Sequence, residues 1–356
     1  MAPTQGHERL ALESALRKIS VPRLVRLKVG ALTRLPIYLN RESFRRVLLL
    51  HSTGLPESII STVVSSFSYS LVEAVEDNRK ETIDRNLPTY ADRFDAVVGV
   101  GGGKALDVAK LTAFRLDCPY FAAPTSLSND GFCSPQSSLL VDGRRKSVPS
   151  RLPTGVVIDL EVVRRAPMEL WLSGVGDLVA KWTAVQDWKL AFHHDGTPFD
   201  DLSALLSDAS VFQFLGHPKR DYQGIKLLAQ ALLLNGVAME IAGSSRPASG
   251  SEHLISHALD HILPTPRLHG LQVGLATYWM MKVQGQDTSA LERLFEETGF
   301  WGYWKENPLS RETMTEALEA APDIKDRFVT ILTERAARQR ASEILNSDPR
   351  LKVCLF

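Results

Sequence analysis

Along the first part of the chain, short apolar runs alternate with stretches in which apolar residues recur every three or four positions. The runs predict buried β-strands, and the periodic stretches predict helices. The predicted strands are residues 46–51, 70–75, 94–100 and 119–123, and the predicted helices are residues 57–65 and 105–114. Strands separated by helices indicate an α/β arrangement, in which a parallel sheet carries helices on its faces.

After about residue 159, the helical periodicity continues without further strand-like runs. Helices are predicted at residues 178–188, 202–214, 224–241, 252–262, 270–283, 291–297 and 327–345. We therefore place a domain boundary near residues 155–165. The expected organisation is an α/β domain, residues 1–160, followed by an all-helical domain, residues 161–356.

The composition excludes several classes of protein. The 356 residues include 41 Lys plus Arg and 41 Asp plus Glu, so the balanced charge gives no reason to expect nucleic acid or an anionic membrane as partner. Three cysteines without CxxC spacing argue against a disulfide framework or a thiolate zinc cluster. The first 20 residues contain no apolar signal segment, and polar residues interrupt the longest apolar stretch, residues 227–241. We predict a soluble, cytoplasmic protein that inserts into no membrane.

Three consecutive glycines, Gly101 to Gly103, stand between a predicted strand and a predicted helix. Glycines there let backbone N–H groups approach a ligand, and the following helix N-terminus is suited to a pyrophosphate. Neither of two well-known nucleotide motifs is present, because Lys104 replaces the third glycine of GxGxxG and Ala105 follows it where a P-loop has Ser or Thr. We interpret the turn as a phosphate-binding loop rather than a plain tight turn. Asp107 either contacts a cofactor or complements the helix dipole.

A second polar loop, residues 124–135, follows the predicted strand 119–123 and reads PTSLSNDGFCSP. It lies where the carboxyl end of a strand is expected, which is the edge at which open parallel sheets bind ligands. The same residue types form ordinary turns, so composition alone leaves a plain loop as the alternative. Because the loop follows a glycine turn of the same sheet, we interpret it as part of a ligand site.

The helical part contains a candidate metal site. Its histidines are His253, His257, His261 and His269. The first three are spaced by four on one predicted helix, which a capping-box pattern starts near Gly250, so they share one face. Asp177 lies in a glycine-rich segment at the predicted start of another helix. Neutral imidazoles and one carboxylate suit Zn²⁺ or another borderline divalent ion, although the spacing does not choose among the first three histidines.

Taken in order, five segments resemble the sn-glycerol-1-phosphate dehydrogenases, within the group of iron-containing alcohol dehydrogenases and dehydroquinate synthases. The segments are GVGGGKALDVAK, APTSLSNDGFCSP, SGVGDLVAKW, RPASGSEHLISHALDH and HGLQVGLAT, and ETGFW and APDIKDRF are also similar. The resemblance spans about residues 47–332. It implies a dehydroquinate synthase-like fold, in which a Rossmann-like parallel-sheet nucleotide domain and an all-helical metal-binding domain enclose the active site.

The resemblance also implies roles for individual residues. The residues that match cofactor-binding positions are Gly101, Gly102, Gly103, Lys104, Asp107, Thr125, Ser128 and Ser134. The residues that match the metal ligands are Asp177, His253 and His269. Asp130 matches an aspartate that contacts substrate, and His257 matches a histidine that contacts substrate rather than metal.

Lys181 distinguishes this chain from many iron-containing alcohol dehydrogenases, which have a fourth histidine ligand four residues after the aspartate. Its presence favours the subfamily with three ligands. We include Lys181 among the catalytic candidates, because a lysine near a phosphorylated substrate supplies a positive charge. The alternative is a surface residue whose stem packs while its amine is solvated.

The implied reaction interconverts dihydroxyacetone phosphate and sn-glycerol 1-phosphate, with hydride transfer from NAD or NADP and with His257 or a water supplying the proton. The implied metal is one divalent ion, zinc in the first instance, with nickel and iron as alternatives. Glu76 and Asp77, after the second predicted strand, favour NAD over NADP. The competing hypotheses are a dehydrogenase for another hydroxyketone and a dehydroquinate synthase-like, carbocycle-forming lyase. The resemblance further implies a homodimer or larger homo-oligomer.

Overall fold

The computed structural model describes residues 19–64, 67 and 69–356. A six-stranded sheet forms the first part, and every neighbouring pair of its strands is parallel. In spatial order the strands are β1 (Leu24–Lys28), β8 (Gly155–Asp159), β5 (Tyr120–Pro124), β4 (Ala96–Gly101), β2 (Arg46–Ser52) and β3 (Tyr69–Val75). A separate antiparallel hairpin consists of β6 (Gln136–Val141) and β7 (Arg144–Pro149). The four predicted strands are confirmed, whereas the pattern did not predict β1, β8 or the hairpin.

In the described part of the chain, four α-helices accompany the sheet. They are α1 (Leu35–Arg41), α2 (Glu57–Val64), α3 (Lys80–Tyr90) and α4 (Gly103–Arg115). Helices α2 and α4 confirm the two predicted in this part of the chain. Residue 65, the last of the predicted helix 57–65, lies outside the described residues.

Both faces of the sheet are buried, which explains the nearly continuous apolar runs of its strands. In β2, Leu48 and Leu50 belong to one apolar cluster, whereas Val47 and Leu49 belong to another. This division follows from the two-residue period of a strand. The cluster that contains Leu48 continues into the helical part of the chain, so the sheet and the helices share one core.

All regular elements after β8 are helices in the described chain. They are α5 (Leu160–Arg165), α6 (Met168–Val179), α7 (Lys181–Asp195), α8 (Asp201–Leu215), α9 (Tyr222–Ala242), α10 (Ser251–Ile262), α11 (His269–Val283), α12 (Ser289–Thr298), α13 (Phe300–Glu306), α14 (Arg311–Ala320), α15 (Arg335–Ser347) and α16 (Pro349–Cys354). The predictions for α8 to α12 agree with these bounds to within two residues. A parallel α/β sheet followed by a helical part is the predicted fold class.

The predicted helix 178–188 is wrong in its start, because α6 and α7 meet at Ala180. Asp177 therefore lies near the C-terminus of α6 instead of opening a helix. The sequence interpretation treated Gly174 and Gly176 as a helix entry. In the structure both lie inside α6, where the absence of a side chain permits close packing against other backbone.

Two other helix starts can be compared with their predictions. The predicted helix 327–345 begins only at Arg335, because Thr330 caps a short 3-10 turn before it. The start of α10 near Gly250 is confirmed, but Ser249 does not cap it. Instead, the Glu252 carboxylate accepts a hydrogen bond from the N–H of Gly250 (2.6 Å).

Helix α9 is, among the described residues, the one helix long and apolar enough to cross a membrane by length and composition. Within the fold, 61% of its apolar window is buried against protein. A methyl group at Gly236 of this helix would overlap the carbonyl oxygen of Cys133, so α9 packs directly on the loop that follows β5. This packing gives α9 a structural role in placing that loop.

Candidate active site

The strand order has a switch point between the neighbouring strands β2 and β4. The chain runs outward from β2 to β3 and then returns across β2 to β4 and β5, so the direction of winding reverses there. Open parallel sheets bind ligands at the carboxyl ends of the strands beside such a reversal. At this edge, the N–H of Gly102 donates to the hydroxyl oxygen of Ser52 at 3.0 Å. Ser52, the last residue of β2, is a neighbour of the glycine turn that the sequence did not indicate.

The glycine turn has the geometry of a ligand cradle. Gly101 has a φ of +138°, and a methyl group there would overlap the Ser52 side chain, so this position requires glycine. In contrast, a Cβ added at Gly102 or Gly103 would meet no atom of the described residues within 4 Å. The open space lies at the N-terminus of α4, where free N–H groups and the helix dipole favour an anion.

Among the other predicted cofactor residues, two are held by local contacts. The ammonium of Lys104 donates to the Glu76 carbonyl oxygen at 3.3 Å, at the end of β3. The Asp107 carboxylate is nearly buried and lies 3.2 Å from the ammonium of Lys110. Burial raises the pKa of Asp107, and Lys110 opposes that shift. Lys110 also donates to the Gly131 carbonyl (2.7 Å), so the pair ties α4 to the second loop.

The second loop, residues 124–135, is fastened at several points. The N–H of Thr125 donates to the Gly101 carbonyl at 3.0 Å, which joins this loop to the glycine turn. The Ser128 carbonyl accepts from the Ser173 hydroxyl of α6 at 2.7 Å. The Ser134 hydroxyl accepts from the N–H of Gln136 at 3.2 Å. The loop is therefore fixed between the sheet and the helical part.

Asp177, His253 and His269 come together in space. Each offers one potential ligand atom, and the three atoms lie within 4.8 Å of one another. The Nε2 atoms of His253 and His269 lie 3.7 Å and 3.9 Å from Oδ1 of Asp177. The chemistry of this donor set fits a divalent metal ion, because two imidazoles and one carboxylate leave a further coordination position open. The backbone N–H of Asp130 donates to the other Asp177 oxygen at 2.9 Å, which brings the second loop to the same site.

Close helix packing creates this cluster. Helices α6 and α11 touch through glycines, because a methyl group at Gly176 would overlap the carbonyl of Gly270 and one at Gly274 would lie 2.7 Å from Cα of Gly176. Asp177 follows the first of these glycines and His269 precedes the second. The backbone contact therefore sets the separation between a carboxylate and an imidazole.

The charged groups in this site shift one another. Burial alone would raise the pKa of Asp177, but Lys181 and the two histidines hold it well below its usual range. Burial lowers the pKa of His269 to about 3, and the charges of His253 and His257 act in the same direction. Burial would also lower the pKa of His253, but Asp177 and Glu252 raise it to about 9. His269 is therefore neutral at pH 7, which is the form that binds a metal ion.

Lys181 is fully buried, so the alternative of a solvated surface lysine is wrong. Its ammonium lies 3.3 Å from Oδ2 of Asp130 and donates to the Ala248 carbonyl at 3.2 Å. The charge of Lys181 thus faces the substrate candidate Asp130 within the site. The sequence could not reveal this pairing, since 51 positions separate the two residues.

His257 and His261 differ from the two ligand candidates. The His257 ring stacks on that of His269 with centroids 5.5 Å apart, and 36% of its side chain is exposed. Its Nδ1 faces Asp260, with 3.9 Å to Oδ2. Among the described residues, a second group of potential ligand atoms comprises His257, Asp260 and His269. His261 is exposed and belongs neither to this group nor to the cluster of Asp177, His253 and His269.

Sequence reasoning missed the residues that surround these histidines. Asp260 accepts hydrogen bonds from Gln272 of α11 (3.1 Å) and from Arg145 of the β6–β7 hairpin (3.3 Å). The Ser256 hydroxyl lies 3.2 Å from Nδ1 of His269. For Asp260, the signal available in the sequence was its position three residues after His257, which places it on the same helical face.

Comparisons with known sequences show the family of the chain. The sequence model of the family described as iron-containing alcohol dehydrogenase matches residues 26–167. The glycerol-1-phosphate dehydrogenase (NAD(P)+) of Hyperthermus butylicus is 35% identical over 342 residues, which cover 93% of this chain and 97% of that protein. The enzyme of the same name from Methanothrix thermoacetophila is 37% identical over 279 residues, covering 76% and 79% of the two chains.

Solved structures share the fold. A probable glycerol dehydrogenase from Sinorhizobium meliloti superposes with a TM-score of 0.74 at 19% identity, over 95% of this chain and 99% of that one. Sulfoacetaldehyde reductase from Bifidobacterium kashiwanohense, in complex with NAD+, superposes with a TM-score of 0.68 at 18% identity, over 94% and 99% of the chains. At these identities the likeness shows the fold alone.

Proposed function

The chain belongs to the glycerol-1-phosphate dehydrogenases of the iron-containing alcohol dehydrogenase family, and we propose that it interconverts dihydroxyacetone phosphate and sn-glycerol 1-phosphate. The observation that carries the proposal is the cluster of Asp177, His253 and His269, which lies beside Asp130 of the second loop. This cluster and the glycine turn are joined by that loop, so a metal ion and a nicotinamide cofactor could act on one substrate.

We assign the metal to Asp177, His253 and His269, and we propose zinc ahead of nickel or iron because two imidazoles and one carboxylate are a common catalytic zinc set. A divalent ion held there supplies Lewis acidity toward the oxygen of the ketone. The three side chains serve this role because they are largely buried and their ligand atoms converge.

We assign the cofactor, NAD or NADP, to the carboxyl ends of β2 and β4, where the strand order reverses. A nicotinamide bound there would supply the hydride, and the chain supplies binding and orientation. The residues proposed to contact it are Gly101, Gly102, Gly103, Lys104, Asp107, Thr125, Ser128 and Ser134. Support comes from the space in front of Gly102 and Gly103 at the start of α4.

His257 is the residue that we propose to move the proton. The reduction adds one hydride to the carbonyl carbon and one proton to its oxygen, so a donor must face the substrate. The His257 ring stacks beside His269, and its exposed part allows it to regain a proton from water. Burial lowers the pKa of His257, and Asp260, opposite its Nδ1, opposes that shift.

We propose that Asp130 orients a hydroxyl of the substrate. Its backbone N–H is bonded to the ligand candidate Asp177, so the residue lies at the edge of the metal cluster. Lys181 balances the Asp130 charge from inside the protein at 3.3 Å. We therefore propose that Lys181 influences substrate binding indirectly, by holding the Asp130 carboxylate in place.

We further propose that residues 1–160 and 161–356 are the nucleotide-binding and metal-binding domains. The active enzyme is proposed to be a cytoplasmic homodimer or larger homo-oligomer. The number of subunits is measured from the mass of the cross-linked protein and from light scattering of the purified protein.

The reaction is tested by following the absorbance of NADH or NADPH with dihydroxyacetone phosphate and Zn²⁺. We expect oxidation of the cofactor that a chelator abolishes and that added metal restores. Oxidation with another hydroxyketone but not with dihydroxyacetone phosphate would redirect the substrate assignment. Bound metal and cofactor without any net change in absorbance would instead support a redox-neutral lyase.

Gly102→Ala should weaken cofactor binding while leaving the fold unchanged. The added methyl group meets open space in the protein but projects into the space proposed for the pyrophosphate. We expect the Kd for NADH or NADPH, measured by fluorescence titration, to rise at least about tenfold, equivalent to about 1.4 kcal/mol. The apparent Tm without cofactor should match that of the original protein. An unchanged Kd would place the pyrophosphate elsewhere.

A further inference from the structure

We propose that Glu252 is a positioning residue for the metal site, which holds His253 with Nε2 directed at the metal position. This inference rests on the proposed metal site. The Glu252 side chain is fully buried, and its Oε1 lies 2.7 Å from Nδ1 of His253. On the other side of the ring, Nε2 faces Asp177. A carboxylate can only accept this hydrogen bond, so Nδ1 keeps its proton, and Nε2 is the nitrogen that releases its proton when a metal ion binds.

The Glu252 carboxylate is itself fixed. Its Oε1 also accepts from the N–H of Gly250 at 2.6 Å, and its Oε2 accepts from the Thr183 hydroxyl of α7 at 2.7 Å. The two contacts come from the start of α10 and from a neighbouring helix. The carboxylate cannot rotate without breaking one of them, so the plane of the His253 ring is determined before a metal ion arrives.

Among the described residues, no carboxylate accepts a hydrogen bond from Nδ1 of the second imidazole, His269, although an oxygen of Asp260 lies within 4.8 Å of one of its ring nitrogens. Nδ1 of His269 faces the hydroxyl of Ser256 at 3.2 Å, which is a neutral group. A hydrogen bond to a carboxylate raises the electron density on the opposite ring nitrogen, and partners of this kind tune the affinity of metal ligands. Glu252 therefore makes His253 a stronger metal ligand than His269.

A merely structural role for Glu252 must be separated from this one, because it also satisfies the first turn of α10. The chain offers a matched control in Asp187, a second buried carboxylate at the same helix start. Asp187 accepts from the N–H groups of Ser251 and Ile331, both at 2.7 Å, and has no hydrogen bond to His253. Loss of a buried charge at the helix start is thus common to both variants, whereas loss of the His253 partner is specific to Glu252.

The test compares Glu252→Gln with Asp187→Asn in the full chain. Each protein is stripped with a chelator, and its affinity for Zn²⁺ and Co²⁺ is measured by competition with a chromogenic chelator. We expect Glu252→Gln to bind about 10- to 100-fold more weakly and to shift the visible absorption bands of bound Co²⁺. Asp187→Asn should bind both ions with nearly the original affinity and keep its Co²⁺ spectrum, because it leaves the hydrogen bond between Glu252 and His253 in place.

Equal affinities and equal Co²⁺ spectra for Glu252→Gln and the original protein would overturn the inference, and so would equal losses in both variants. If Glu252→Gln does not fold, Thr183→Val decides, because it releases the carboxylate from one side while keeping its charge. A weaker affinity in Thr183→Val supports the positioning role, and an unchanged affinity contradicts it. Failure of the original protein to bind either ion would instead overturn the proposed function.

Discussion

Replacement of His269 by alanine is expected to abolish metal binding and dehydrogenase activity together. The variant removes one of three converging donors, and the remaining pair, Asp177 and His253, cannot hold a divalent ion in the same geometry. Lewis-acid stabilisation of the developing charge contributes several kcal/mol, so kcat/KM should fall at least about 10³-fold. The measurement combines the metal content of the purified variant with the rate of NADH or NADPH oxidation.

Two other histidines serve as controls for this result. His261→Ala lies on α10 as well but is exposed and outside the cluster, so activity and metal content should be unchanged. His257→Ala should lower the rate while the metal remains bound, because this ring is assigned to proton transfer. A His269→Ala protein that retains both metal and activity would refute the ligand assignment.

Apolar runs predicted β2 and β4, although not the equally buried strand β8. Strands β2 and β4 are buried on both faces, and their apolar runs cannot be confused with the periodic helices around them. The hairpin strand β7 escaped prediction because most of its residues are exposed and its segment RRKSVP is largely polar. Its existence depends on pairing with β6, which a local pattern does not contain.

For the site, the sequence supplied residue types but not their partners. The glycine turn and the histidine spacing follow from local rules, since a strand, a turn and a helix face each have a short period. Partners such as Lys181 for Asp130, or Asp187 for Ser251, are tertiary contacts between elements far apart in the chain. The capping-box pattern gave Glu252 a role at the helix start alone. In the structure its carboxylate is shared between the N–H of Gly250 and the ring of His253.

Gly176→Ala should damage the metal site from a residue that is not a ligand. A methyl group at this position would overlap the carbonyl group of Gly270, which belongs to the backbone of the packed helix α11. The overlap can be relieved only if α6 and α11 move apart, which separates Asp177 from His269. Overpacking of this kind destabilises proteins by about 1–3 kcal/mol or more, and we expect about 3 kcal/mol here because no side chain can yield. Denaturant unfolding of the metal-free protein measures this change.

The folded form of the same variant should also bind the metal ion more weakly. A displacement of about 1 Å at a preorganised site lowers function by about 100-fold. Gly302→Ala is the matched control: this glycine is an exposed residue of α13, and an added Cβ meets no described atom within 4 Å. Alanine there should raise the free energy of unfolding by about 0.5–1 kcal/mol, since glycine is the poorer helix former. Gly176→Ala can be compared directly with Gly302→Ala in stability and in affinity for Zn²⁺. Equal values of both would contradict the idea that the close approach of α6 and α11 sets the distance between Asp177 and His269. A stable Gly176→Ala protein with weakened metal binding would still assign that distance to the glycine contact, because no other property of the ligands has changed.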